Sequence, residues 1–295
     1  METHDPQNHA MEQAKRTISI QKIVPSMITL MALIAGVTSI QMAINERYDM
    51  AVQMIVIAAI LDILDGAAAR ALKAQSEFGA ELDSLSDFLA FGVAPSVLLY
   101  VWVLDEAGKL GWIATIILPV CAALRLARFN VASKKADDTP LWKKRFFTGV
   151  PSPAGAGLAL LPVYVWLMME HNFFREFAPA NWLVAVWVIV ASALMVSRIP
   201  TFSIKYMKLP AKMMVPAMAL VALIIAGLIH ATWITLTIVG TLYAISIPMV
   251  FYRYRKLEKK YSAAPEDLSS LAFGMAASDV LLPETPEDDD DIRPI

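Results

Sequence analysis

The sequence predicts an all-α integral membrane protein, a helical bundle of about eight transmembrane helices, and three observations carry that prediction. Hydrophobic residues make up 57% of the 295 positions, charged residues only 18%, and the mean hydropathy is +0.55, outside the range of ordinary soluble domains. Eight windows are long and apolar enough to cross a bilayer, which takes about 20 mostly apolar residues. The positive charges fall on alternate loops between those windows, as the positive-inside rule requires of a multi-pass chain.

The windows run over residues 24–44, 50–68, 85–104, 110–127, 150–169, 181–197, 213–230 and 232–252. All are too long for barrel strands, and a backbone in lipid must satisfy its own hydrogen bonds, so each reads as a helix. The first follows Lys15, Arg16 and Lys22, and the second is followed by Arg70 and Lys73. The fourth leads into Arg125, Arg128, Lys134, Lys135, Lys143, Lys144 and Arg145, the sixth into Arg198, Lys205, Lys208 and Lys212. The last two windows are divided only by Ala231, because one unbroken helix there would be about 60 Å long, twice the hydrocarbon thickness. The eighth is followed by Arg253, Arg255, Lys256, Lys259 and Lys260. In all, 21 of the 25 cations lie on one side, Arg293 lies in the tail and only Arg47, Lys109 and Arg175 lie opposite, which puts both termini in the cytoplasm. The expected location is the inner (cytoplasmic) membrane.

Residues 1–23 form a cytoplasmic segment with no apolar stretch of signal-peptide type, 24–260 form the transmembrane domain, and 261–295 read as a disordered tail ending in acidic residues among prolines. The lone Cys121 lies in an apolar window and suits packing rather than disulfide formation. Lipids surround such a chain, and no nucleic-acid partner is expected.

Between the second and third windows stand four aspartates where acids are costly. Asp62 and Asp65 are three apart at the end of one helix, and Asp83 and Asp87 are four apart at the start of the next, so each pair shares a helical face. The connection between the helices is short, which predicts antiparallel neighbours with their acidic ends together. Four carboxylates at low dielectric repel one another and call for cations. Oxygen ligands in that number suit Mg²⁺ or Mn²⁺, two ions balancing four charges. Gly66, Ala67, Ala68, Ala69 and Gly79 leave room for a bulky ligand beside them, and Arg70 can meet a phosphate. A solvated helix end explains one aspartate but not four in this register, since acids within the membrane are usually functional.

The pattern Asp62-x2-Asp65-Gly66-x2-Ala69-Arg70-x8-Gly79-x3-Asp83-x3-Asp87 resembles the signature of the CDP-alcohol phosphatidyltransferase family at every defined position. The resemblance implies that Asp62, Asp65 and Asp83 hold metal, and that Asp87 is both a metal ligand and the general base. It also implies that Gly66, Ala69, Arg70 and Gly79 surround the CDP group. The residues taken alone agree: an alcohol attacking a pyrophosphate phosphorus needs its proton removed and the developing charge offset, which a two-metal carboxylate site does. The four histidines, His4, His9, His171 and His230, offer no competing nucleophile-base arrangement.

The acceptor must be read elsewhere. Three cytoplasmic segments stand out, Leu124–Asn130 with Arg125 and Arg128, Phe147–Pro153, and Met195–Thr201 with Arg198. Arginines at helix C-termini also suit the helix dipole and the topology, an account that fits Arg198 as well as a ligand role does. Arg125 and Arg128 share a face and suit a phosphate or carboxylate. Together these segments resemble the phosphatidylserine synthase branch, which implies transfer from CDP-diacylglycerol to L-serine. One departure is Pro25-Ser26, where many family members have Asn after the proline, which weakens a role for Ser26. Choline, glycerol 3-phosphate and inositol are the alternative acceptors, and aromatics such as Phe129, Phe146 and Phe147 suit choline. A divalent-cation transporter also explains acids in a bundle, but its site belongs near the bilayer midplane rather than at the rim. Many members of the family form dimers, so the resemblance raises a homodimer as an expectation; the small residues Ala154, Gly155, Ala156 and Gly157 suit packing within or between protomers.

Overall fold

A computed structural model describes residues 20–133, 146–169, 180–197, 200–202 and 213–261. Arg198 and the acidic tail lie outside the described residues. The helices are α1 (Ile20–Ile44), α2 (Tyr48–Ala71), α3 (Glu77–Phe88), α4 (Ala94–Leu99), α5 (Gly108–Ser133), α6 (Ser152–Ala159), α7 (Leu161–Met168), α8 (Ala180–Val196), α9 (Met214–His230) and α10 (Thr232–Tyr261). Each apolar window thus lies on helix.

Five stretches are long and apolar enough to cross a membrane alone, Ile23–Ile44, Tyr48–Ala71, Glu77–Leu104, Gly108–Ala132 and Thr232–Tyr252, and the chain is a multi-pass membrane protein. Asn181–Val196 and Met214–His230 are apolar but shorter. The fifth window is broken: Leu160 leaves helical geometry at φ −81°, ψ −2°, and Pro162 in the first turn of α7 has no N–H to continue the ladder of α6. Ala231 does divide the last two windows, with Gly227 of α9 folded against Thr235 of α10.

The helix carrying Asp83 and Asp87 begins earlier than hydropathy suggests, at Glu77 instead of residue 85. Ser76 is its N-cap, extended at φ −139°, ψ 151°, with its hydroxyl accepting from Gly79 N at 3.0 Å. Beyond Phe88 the helix continues through π-helical turns at Leu89–Val93 and Tyr100–Leu104 on either side of α4. Pro95 cannot donate to the preceding turn, which widens so that Ala94 N–H reaches Leu89 O.

α2 and α3 bring their acidic ends together, as the short connection suggests. Both pack on α1, α2 most extensively, and α2 also meets the far half of the third apolar stretch. The short turn passes through Lys73, in the left-handed region at φ 49°, and α1 lies against both helices.

The core joins Ala35, Val52, Phe91, Leu98, Leu118, Val150 and Met195 from α1, α2, α4, α5, α8 and the segments between them. Gly92 lets α5 come close to the π turn just beyond Asp87; a Cβ there would lie 3.0 Å from Ala122 Cβ. Gly155 is filled from within the chain, by the Met195 side chain. α9 by contrast buries none of its residues and turns its apolar surface outward, as lipid permits.

Two short strands complete the fold. β1 (Phe146–Thr148) pairs antiparallel with β2 (Pro200–Phe202), Phe147 opposite Thr201. The pairing joins two segments that stood out in the sequence, and Gly149 follows at φ 84°, held so close that a Cβ would meet the Met195 carbonyl at 2.7 Å.

Candidate metal centre and adjoining cavity

The helical repeat on α2 stacks Asp62, Asp65, Gly66 and Ala69 on successive turns, and the Ser76 cap sets the register of Gly79, Asp83 and Asp87 on α3. Carboxylate oxygens of Asp62, Asp83 and Asp87 all lie within 4.8 Å of one another, and all three side chains are half-buried. At about 5 Å and an effective dielectric of about 20, each fully charged pair repels by on the order of 3 kcal/mol. A divalent cation relieves that repulsion, and hard oxygen donors at this separation fit one.

Asp65 stands beside this triad and is the most buried of the four at 5% exposure. Its Oδ2 accepts a hydrogen bond from Thr29 Oγ1 of α1 at 2.7 Å. The backbone of Thr29 is itself used, its carbonyl accepting from Ser86 Oγ at 3.2 Å. α1 therefore fixes Asp65 on one helix and the residue before Asp87 on the other.

Next to the carboxylates opens a cavity of about 250 Å³. Gly66, Ala69 and Gly79, the small residues singled out in the sequence, line it, and Asp65 and Asp83 form its acidic edge. The opposite wall is made by Pro25 and Ser26 of α1 and by Gln75 and Ser76 of the connecting turn. Sequence reasoning gave these residues no part; Ser26 in particular faces Gly79, 3.8 Å from where a Cβ would sit. The Arg70 guanidinium folds back beside Gly66, 3.3 Å from a Cβ placed there.

The two arginines of α5 part company. Arg125 lies within electrostatic reach of Asp87 and Asp62, and its Nη1 donates to the hydroxyl of Ser152, which is fully buried at the start of α6. Arg128 instead donates to the carbonyls at the C-terminal end of α8, Val196 O at 2.8 Å and Ser197 O at 3.4 Å. Its position suits the helix dipole and ties α5 to α8. Asn130, two residues on, donates to Ser84 Oγ at 2.9 Å and ties α5 to α3.

Comparison with known proteins follows the same outline. Residues 22–187 match the family model described as CDP-alcohol phosphatidyltransferase, and residues 212–248 match that described as CDP-alcohol phosphatidyltransferase 2. The chain is 35% identical over 245 residues to a protein of Mycobacterium leprae, covering 83% of this chain and 79% of the relative. A Helicobacter pylori protein is 31% identical over 202 residues, 68% of this chain and 81% of its own. One from Methanocaldococcus jannaschii is 34% identical over 215 residues, 72% of this chain and 89% of its own. All three relatives are named CDP-diacylglycerol–serine O-phosphatidyltransferase.

Proposed function

The chain belongs to the CDP-alcohol phosphatidyltransferase family, and from that premise we propose that it transfers the phosphatidyl group of CDP-diacylglycerol to the hydroxyl of L-serine, giving phosphatidylserine and CMP. The observation that carries the proposal is the convergence of Asp62, Asp83 and Asp87 beside a cavity lined by Gly66, Ala69 and Gly79. The names of the relatives support serine as acceptor, and so does an arginine facing Asp87.

In this reading Asp62, Asp65, Asp83 and Asp87 hold two divalent ions, Mg²⁺ or Mn²⁺. When bound, the ions supply positive charge that offsets the charge developing on the transferred phosphate. The cavity takes the CDP portion of the donor, its glycines allowing the pyrophosphate to approach the backbone, with Arg70 at hand for a phosphate oxygen. Arg125 holds the serine carboxylate so that the serine hydroxyl faces Asp87. Asp87 removes the hydroxyl proton, the serine oxygen bonds to the phosphorus carrying diacylglycerol, and the bond from that phosphorus to CMP breaks. Arg128 orients α5 and its neighbour Arg125 through the carbonyls of α8. The chain crosses the cytoplasmic membrane eight times with this site on the cytoplasmic face.

The test is purified protein in detergent given labelled CDP-diacylglycerol and, separately, serine, choline, glycerol 3-phosphate or inositol. Labelled phosphatidylserine with release of CMP, and little product with the other three, is the expected result. Brisk transfer to choline or glycerol 3-phosphate with none to serine overturns the acceptor, and no CMP release with any of them overturns the chemistry.

A further inference from the structure

Arg125, the cation beside the carboxylate triad, has a neighbour on a helix far outside the aspartate motif. Tyr243 of α10 places its hydroxyl in a buried position where it has no hydrogen-bond partner among the described residues. Buried hydroxyls are rarely left in that state, because water is lost as a partner and nothing replaces it. The neighbouring turn of α10 is held tightly against α7, where Gly240 leaves no room for a Cβ beside Leu161. Tyr243 is thus fixed in place, and its ring bears on a polar neighbour: it lies within electrostatic reach of Arg125. Arg125 in turn reaches Asp87 and Asp62 and is braced by Ser152.

A neutral O–H donor of α10 and a guanidinium of α5 are therefore neighbours, and the guanidinium is in turn a neighbour of the triad. Neither Tyr243 nor Arg125 lines the cavity beside Gly66 and Gly79, whose walls come from α1, α2, α3 and the turn between the last two. This pair of groups is therefore separate from the cavity read above as the place of the CDP portion. A hydroxyl donor beside a guanidinium matches a carboxylate, which has oxygens for both.

We propose that Tyr243 is a specificity-determining residue of the acceptor site, donating its hydroxyl hydrogen to the carboxylate of the amino-acid acceptor alongside Arg125. The inference rests on the serine reading above and assigns part of that recognition to the C-terminal helix. Choline has no carboxylate and gains nothing from such a pair, so Tyr243 also serves discrimination.

The experiment is Tyr243→Phe, which keeps the ring and removes only the hydroxyl, measured with full-length protein in detergent. The KM for serine is expected to rise by about 10-fold or more, as for loss of a hydrogen bond to a charged group. The KM for CDP-diacylglycerol and kcat at saturating serine should change by less than about twofold. The melting temperature without serine should stay level or rise, since a partnerless buried hydroxyl has been removed, while the stabilisation produced by added serine should shrink. An unchanged serine KM, with or without a fall in melting temperature, overturns the inference, and so does an equal rise in the donor KM. Absence of serine transfer in the wild-type protein overturns the serine reading itself, an outcome visible before any variant is made.

Discussion

Asp65 has one side-chain partner, and that partner belongs to another helix: the Thr29 hydroxyl at 2.7 Å. A hydrogen bond to a metal-binding carboxylate fixes its orientation, and removing such a support typically lowers metal affinity by about 10- to 100-fold. Thr29→Val should therefore require about 10-fold more Mg²⁺ or Mn²⁺ for half-maximal activity, with much of the activity recovered at saturating metal. Thr29→Ser should restore the wild-type metal response; a Val variant with an unshifted metal curve shows that Thr29 does not support the site. Asp87→Asn tests a different role, since a lost general base costs turnover by about 10² to 10⁴. The donor KM should hold while kcat falls, and a defect confined to donor affinity removes Asp87 from the proton transfer. The aspartates were legible in the sequence because charge inside apolar windows is rare and their spacing matches a helix. Thr29, Ser26 and Tyr243 were not, because a single hydroxyl leaves neither a charge nor a period in the sequence, and its partner is fixed only by how the helices pack.

The connections between helices set the site as much as the helices do. Hydropathy placed the apolar cores of the elements well but missed their polar ends: α3 starts two turns before its apolar window because Ser76 caps it, and α10 runs on to Tyr261 past its last apolar residues. The short connection does bring the acidic ends of α2 and α3 together, while the packing of α1 against both leaves no such sign in the sequence. Two glycines separate the structural and ligand-facing demands on these connections. Gly149 combines a φ of 84° with carbonyl oxygens within 2.8 Å of a placed Cβ, so Gly149→Ala should cost stability on the order of 1–3 kcal/mol. Gly79 has ordinary helical geometry, and its Cβ would point toward Ser76 and Ser26 at the edge of the cavity. Gly79→Ala should leave the melting temperature nearly unchanged and raise the KM for CDP-diacylglycerol several-fold. The reverse pattern, a stable Gly149→Ala beside a collapsed Gly79→Ala, contradicts this division.

For the molecule as a whole, the segregation of 21 of 25 cations argues for an even number of crossings with both ends on one side. An aromatic cluster marks the end of the bundle away from the aspartates. There buried Trp166 meets Tyr48 edge-on and Trp102 at a tilt, at centroid distances of 5.8 and 5.5 Å. Reporter fusions after Asn45 and His171 should register the outside, those after Lys135 and Lys205 the cytoplasm; reversal of either pair breaks the eight-span topology. The bundle was readable because length and charge alternation act over the entire chain, whereas its break at Leu160 depends on a single proline.

The central claim, that the carboxylates act through bound divalent metal on CDP-diacylglycerol and serine, is met most directly by phosphatidylserine formation in protein stripped with EDTA. Activity should vanish on stripping, return with added Mg²⁺ or Mn²⁺, and fail to return in Asp62→Asn or Asp83→Asn at any metal concentration. Transfer that continues without metal, or an Asn variant at either position with near wild-type turnover, contradicts the account.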